Sequence, residues 1–137
     1  MSASKTSAIL FIFSLLSSAP LYATEIQAEH TPVQMISGGI GDAEMKNITA
    51  VQKQYSLKLI FTEADGEYLA DIGVLIRDTK GNTVVDTTSG GPILLMKLTP
   101  GSYTLSSSVT GETKTQHIKV HGTGLNTYYI HLHSTES

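Results

Sequence analysis

The sequence predicts an all-β fold, a two-sheet sandwich of seven short strands, and three observations predict it. From Tyr55 onward, short apolar runs are separated by turn residues at intervals of roughly eight to twelve positions, the spacing of small sandwiches. Within most runs apolar and polar residues alternate with a period of two, which gives each strand one buried face. β-Branched residues and tyrosines fill these runs, and no long amphipathic helical pattern competes with them.

Each element has its own signal. Tyr55, Leu57, Leu59 and Phe61 alternate with Ser56, Lys58, Ile60 and Thr62 to make the first strand, and Asp65-Gly66 is a turn pair. Ile72, Val74 and Ile76 alternate with Gly73, Leu75 and Arg77. Lys80-Gly81-Asn82 turns the chain into a strand over 83–87, and Ser89-Gly90-Gly91-Pro92 interrupts it as a bulge or turn. The run Ile93 to Leu98 is almost wholly apolar, as in a strand buried on both faces. Pro100-Gly101 forms a corner, because Pro presets φ and Gly tolerates positive φ. Tyr103, Leu105, Ser107 and Val109 then share a face. The last two strands read as a hairpin around Gly122-Thr123-Gly124-Leu125. Facing Ile118 with Ile130 and Val120 with Tyr128 gathers the apolar members on one side, and a one-residue slip would bury the histidines.

These elements place a β-sandwich domain at 55–133 and a tail at 134–137. Residues 24–54 read as a linker, with Pro32, Gly38, Gly39 and Gly41 among polar residues. A short helix over roughly 43–52 fits inside it, with Asp42 as its cap and Ile48 and Val51 on one side. Residues 1–23 read as a secretory signal peptide. Lys5 precedes the apolar run Ala8 to Leu16, and small residues lead to a cut after Ala23. That run is about half the ~20 residues needed to cross a bilayer. No cysteine follows it to carry a lipid. The expectation is a periplasmic or secreted protein whose mature chain makes no stable membrane insertion.

Composition narrows the function classes. Nine basic residues stand against twelve acidic ones, for a net charge of −3. The lysines are scattered, which argues against nucleic-acid binding through a counterion-releasing basic surface. With no cysteine there is no disulfide, zinc–thiolate site or thiol nucleophile, and with no tryptophan the core aromatics are Tyr or Phe.

Three segments carry a family resemblance: Tyr68-Leu69-Ala70-Asp71-Ile72-Gly73-Val74, Asp78-Thr79-Lys80-Gly81-Asn82, and Leu98-Thr99-Pro100-Gly101-Ser102-Tyr103-Thr104-Leu105. Over about 55–133 the chain resembles the carboxypeptidase regulatory-like domain, a prealbumin-like (transthyretin-like) sandwich. The Pro-Gly corner before an inward Tyr is the most specific element. Gly38-Gly39-Ile40-Gly41-Asp42-Ala43-Glu44 and Gly90-Gly91-Pro92-Ile93-Leu94-Leu95 are similar to small exported bacterial proteins of unknown function. The family pattern has Thr-Asp-x-x-Gly-x-Tyr before the corner, where this chain reads Thr88-Ser89-Gly90-Gly91-Pro92. The resemblance implies a seven-stranded Greek-key module, non-catalytic in most relatives. The relatives that hydrolyse a purine-pathway intermediate end in Tyr-Arg-Gly-Ser, whereas this chain ends in His133-Ser134-Thr135-Glu136-Ser137.

The histidines are the one cluster with candidate chemistry. In the hairpin register His117 and His131 are outward cross-strand neighbours, with His133 and His121 nearby. Cross-strand Cβ atoms lie about 5 Å apart, and imidazole suits zinc or copper. His117, His131 and His133 are therefore candidate metal ligands, with His121 and Glu112 as further donors. The plainer reading is a solvated polar face that is rich in histidine. Glu63, Asp65 and Glu67 read as a solvated turn. Gly38-Gly39-x-Gly41 lacks the strand and Lys of a phosphate loop. A Ser-His-Asp hydrolase would need an elbow of the form Gly-x-Ser-x-Gly, and none is present. The expectation is a non-catalytic envelope module with no required cofactor, binding another envelope or exported protein. The alternatives are a periplasmic protein that binds Zn or Cu weakly through its histidines and, behind it, a small hydrolase.

Overall fold

The computed structural model describes residues 32–135. In chain order these form β1 (Met35–Gly38), α1 (Gly41–Val51), a 3-10 turn (Gln52–Gln54), β2 (Leu57–Thr62), β3 (Ile72–Asp78), β4 (Thr83–Ser89), β5 (Ile93–Met96), β6 (Gly101–Val109), β7 (Glu112–Val120) and β8 (Asn126–His131). The expected signal peptide over 1–23 and its expected cut after Ala23 lie outside the described residues.

Two four-stranded sheets face each other. The first has the order β1-β5-β2-β8 and the second β4-β3-β6-β7. All pairings are antiparallel except β2 with β8, which is parallel. The inward residues meet in one core. Leu57, Leu59, Phe61, Leu94, Met96, Ile130 and Leu132 from the first sheet's side pack with Ile72, Val74, Ile76, Val85, Tyr103, Leu105, Ile118 and Val120 from the second. Each such side chain stabilises the fold by about 1.5–3 kcal/mol relative to an exposed one.

The strand count is eight, not seven. The seven expected strands all form, as β2 to β8. The additional strand, β1, lies within the stretch read as linker and pairs with β5, Ile36 opposite Leu95 and Gly38 opposite Ile93. Its four residues carry no alternation long enough to be distinguished from irregular chain. Its pairing with β5 defines it. The expected short helix forms as α1. Asp42 lies in its first turn rather than at the cap, which is Ile40. There Asp42 and Glu44 complement the helix dipole, and the Glu44 carboxylate accepts the Ile40 amide at 2.9 Å.

The helix exists for a reason visible in β5. Ile93, Leu94, Leu95 and Met96 are all buried, as the uninterrupted apolar run predicts. Leu94 and Met96 enter the central core. Ile93 and Leu95 emerge on the other side, where they join Ile60 and Ile48 of α1, flanked by Ile36, Val51 and Tyr55. α1 is the lid on this second, smaller core, so β5 and part of β2 are covered on both faces, while the outer side of β8 stays exposed.

Two connections shape the sandwich; at the second, Pro100-Gly101, the expected corner forms, but Gly101 does not take the positive φ anticipated for it and instead begins β6. Gly90-Gly91-Pro92 carries the chain from β4 in the second sheet to β5 in the first. A Cβ on Gly91 would collide with the backbone of Gly38, so this crossing is open only to glycine. At the Pro100-Gly101 corner the buried Tyr103 turns inward, and its hydroxyl donates back to the Thr99 carbonyl at 2.5 Å.

The expected hairpin of the last two strands does not form. β7 pairs only with β6, and β8 only with β2. The inward sets were read correctly: Ile118 and Val120 on β7, Ile130 and Leu132 beyond it, all buried. Facing strands across a sandwich bury their inner sides as effectively as paired strands do. The five residues 121–125 are long enough to span the ~10 Å between packed sheets, so alternation alone could not separate the two arrangements.

Candidate functional site

Among the described residues, no helix packs on the outer face of the second sheet. Its register places Arg77 of β3 opposite Thr104 of β6, and Thr104 opposite His117 of β7. One exposed row therefore runs Arg77–Thr104–His117, with neighbouring Cβ atoms about 5 Å apart. The next row pairs Ser102 with Lys119. Farther along the same strands come Ser106 and Thr115, whose hydroxyl oxygens are 3.0 Å apart. Thr104 Oγ1 and His117 Nδ1 are 3.4 Å apart, which leaves Nε2 as the ring nitrogen free to meet a ligand.

The β3–β4 turn stands beside this face. Asp78 Oδ1 accepts the amides of Lys80 at 2.9 Å and Asn82 at 3.0 Å. Desolvation pushes the Asp78 carboxyl up, but these two amides, the Asn82 side chain and the Lys80 charge outweigh it and hold the group below the usual carboxylate range. Between this turn and the end of β7 lies a cleft of about 770 Å³. Arg77, Thr79, Ser102, Thr104, His117 and Lys119 supply its polar side chains, and Tyr128 of β8 reaches it from the other sheet.

Tyr128 belongs to a seam that replaces the missing hairpin ladder. Its hydroxyl accepts from the Lys119 amide at 2.8 Å and donates to the Lys119 carbonyl at 2.9 Å. Asn126 Oδ1 accepts the His121 amide at 3.2 Å, while Nδ2 reaches the His121 carbonyl at 3.4 Å and the Ser56 carbonyl at 2.8 Å. Farther down, Lys114 Nζ donates to the His131 carbonyl at 3.4 Å, and the His133 amide donates to the Glu112 carboxylate. β7 and β8 therefore run antiparallel along one flank, joined by side chains.

This seam corrects the histidine geometry. His117 faces outward from the second sheet and His131 outward from the first, so the two point away from each other across the sandwich. His131 Nδ1 is instead 2.7 Å from the hydroxyl of the buried Thr62. His121 and His133 are exposed, and both enter the seam through their backbones. The proposed metal ligands His117, His131 and His133 do not converge. Among the described residues, the three side chains whose ligand atoms lie within 4.8 Å of one another are Glu63, Asp65 and Glu67. Asp65 Oδ1 accepts the Glu67 amide at 3.1 Å, and Glu63 accepts the Ser134 hydroxyl. The Asp65 carboxylate thus serves the turn, while that of Glu63 ties the turn to the C-terminal tail.

The Arg77–Thr104–His117 row escaped the sequence reading. That each residue faces outward follows from alternation. Their juxtaposition follows only once β3, β6 and β7 are known to be neighbours, and alternation equally allows β7 to pair with β8. No protein-family model matches the chain, and no curated protein matches it.

Proposed function

We propose that this chain is an exported, non-catalytic β-sandwich module that acts by binding, in the periplasm or outside the cell, with a prealbumin-like Greek-key fold of the carboxypeptidase regulatory-like kind. Support for the fold comes from seven strands at the expected positions and from the Pro100-Gly101 corner with its inward Tyr103. Support for export comes from the three-part pattern of residues 1–23. The observation that carries the binding role is the cleft of about 770 Å³ on the outer face of the second sheet. It is floored by paired strands rather than by loops, which makes it a preorganised recognition surface. Its partner is another envelope or exported component.

The test places a photo-crosslinking amino acid at Ser102 in the full-length chain expressed in cells. The expected result is a mature form beginning at Thr24, recovered from the envelope or medium, with a defined adduct at position 102. An adduct at an outlying position such as Ala64 but none at 102 contradicts the binding role, and an intact Met1 chain in the cytosol contradicts export.

A further inference from the structure

We propose that the cleft over Arg77, Thr104 and His117 takes an oxyanion, a phosphate or carboxylate group presented on a small hydroxylated molecule. This rests on the binding role argued above and names the ligand class for that same site.

Charge carries the first part of the argument. The whole chain has a net charge of −3, yet the charged side chains lining this cleft are Arg77, Lys119 and one carboxylate, Asp78, with His117 between them. Asp78 offsets one of the two lining cations, so the cleft keeps an excess of one positive charge. Asp78 Oδ1 is occupied by the amides of Lys80 and Asn82, and its Oδ2 faces Asn82 Nδ2 at 3.5 Å. The carboxylate is thereby turned into its own loop. Lys80 adds a further cation to that loop.

Donor geometry carries the second part. Arg77 presents a planar fork suited to bidentate recognition of carboxylate or phosphate. Thr104 Oγ1 lies 3.4 Å from His117 Nδ1, which leaves Nε2 as the free ring nitrogen; with Nδ1 accepting from the Thr104 hydroxyl, Nε2 carries the hydrogen an anion requires. The hydroxyls of Thr79, Ser102 and Thr104 line the same cleft and supply donors and acceptors for sugar-like hydroxyls. The Tyr128 hydroxyl, by contrast, is fully used on the Lys119 backbone. Lys119 is thus held by its main chain, and its side chain is exposed. Its position across from Ser102 is fixed by the β6–β7 register. Arg77 on β3 and Lys119 on β7 flank β6 from opposite sides, so an anion seated over Ser102 and Thr104 lies between the two cations.

The experiment follows backbone amide resonances of the mature chain while glucose 6-phosphate, glucuronate or neutral glucose is added. The expected result is saturable movement of the Thr79, Ser102–Thr104 and His117–Lys119 amides with both anions, weakening as salt is raised, and none with glucose. The double variant Arg77→Gln, Lys119→Gln should lose at least about ten-fold in affinity, which corresponds to ~1.4 kcal/mol, while keeping the wild-type spectrum elsewhere. Inorganic phosphate alone separates a pure anion site from one that also reads the sugar. Equal response to glucose, anion shifts elsewhere on the molecule, or affinity unchanged in the double variant overturns the proposal. The Ser102 crosslink reads the binding role independently: an adduct there with no anion response refutes the ligand class and spares the module.

Discussion

The Tyr128 hydroxyl occupies both backbone groups of Lys119, 2.8 Å from its nitrogen and 2.9 Å from its oxygen. One phenol thus does for the rim of β7 what a neighbouring strand would do. Asn126 repeats the device at His121 with a carboxamide. An unpaired strand edge is a template for aggregation, and here two β8 side chains blunt it.

Tyr128→Phe removes the hydroxyl and little else. The expected cost is about 1–2 kcal/mol, because the Lys119 amide and carbonyl lose a shared partner near the rim of the core. Urea unfolding should show a lower midpoint at unchanged slope. Native-state exchange should quicken at the Lys119 amide while the Leu105 amide, deep in the same sheet, keeps its protection.

Ile48 is the buried residue of α1. Ile48→Ala should destabilise by about 2–5 kcal/mol if the lid stays seated over a cavity. Amides over 42–51 should exchange faster than those of β6 and β7, because the helix has its own small core with Ile60, Ile93 and Leu95. Uniform acceleration throughout the molecule would show that the two cores unfold as one.

Asp78 makes stability pH-dependent in a stated direction. Its carboxyl is held below the ordinary value in the native state, which for an unfolded Asp is about 3.9. The charged form is therefore favoured by folding. That contribution is complete above the unfolded value and disappears as pH falls through the lower native one. Asp78→Asn should be less stable than wild type at pH 7 and at pH 5, with the gap closing toward pH 3. Thermal unfolding at the three pH values measures it.

Metal titration tests the placement of the histidines on opposite faces. Whatever zinc or copper His131 and His133 take up, His117→Ala should leave unchanged, and a His117→Ala, His131→Ala cycle should show additive heats. A coupling of about 1 kcal/mol or more between positions 117 and 131 would contradict the sheet assignment of β8.

The strands were legible because each is bracketed by residues with local turn chemistry: Asp65-Gly66, Lys80-Gly81-Asn82 and Pro100-Gly101. Inward and outward faces were legible because the strand period is two. Which strand neighbours which was not. The apolar sets Ile118/Val120 and Ile130/Leu132 fit a hairpin and a sheet crossing equally, and the choice is made by parallel pairing of β8 with β2, a contact remote in sequence. β1 was illegible for the same reason, since Met35–Gly38 becomes a strand by lying against β5. The cleft inherits this limit. Arg77, Thr104 and His117 were each readable as exposed, but their common row exists only through the β3–β6–β7 order.

Had β7 and β8 exchanged amide and carbonyl bonds, the two sheets would have rolled into one continuous barrel wall along that flank. Phenol, carboxamide, ammonium and carboxylate stand there instead. The closure of the molecule is thus spelled in a handful of replaceable groups, so single substitutions can loosen one rung at a time without breaking any strand ladder.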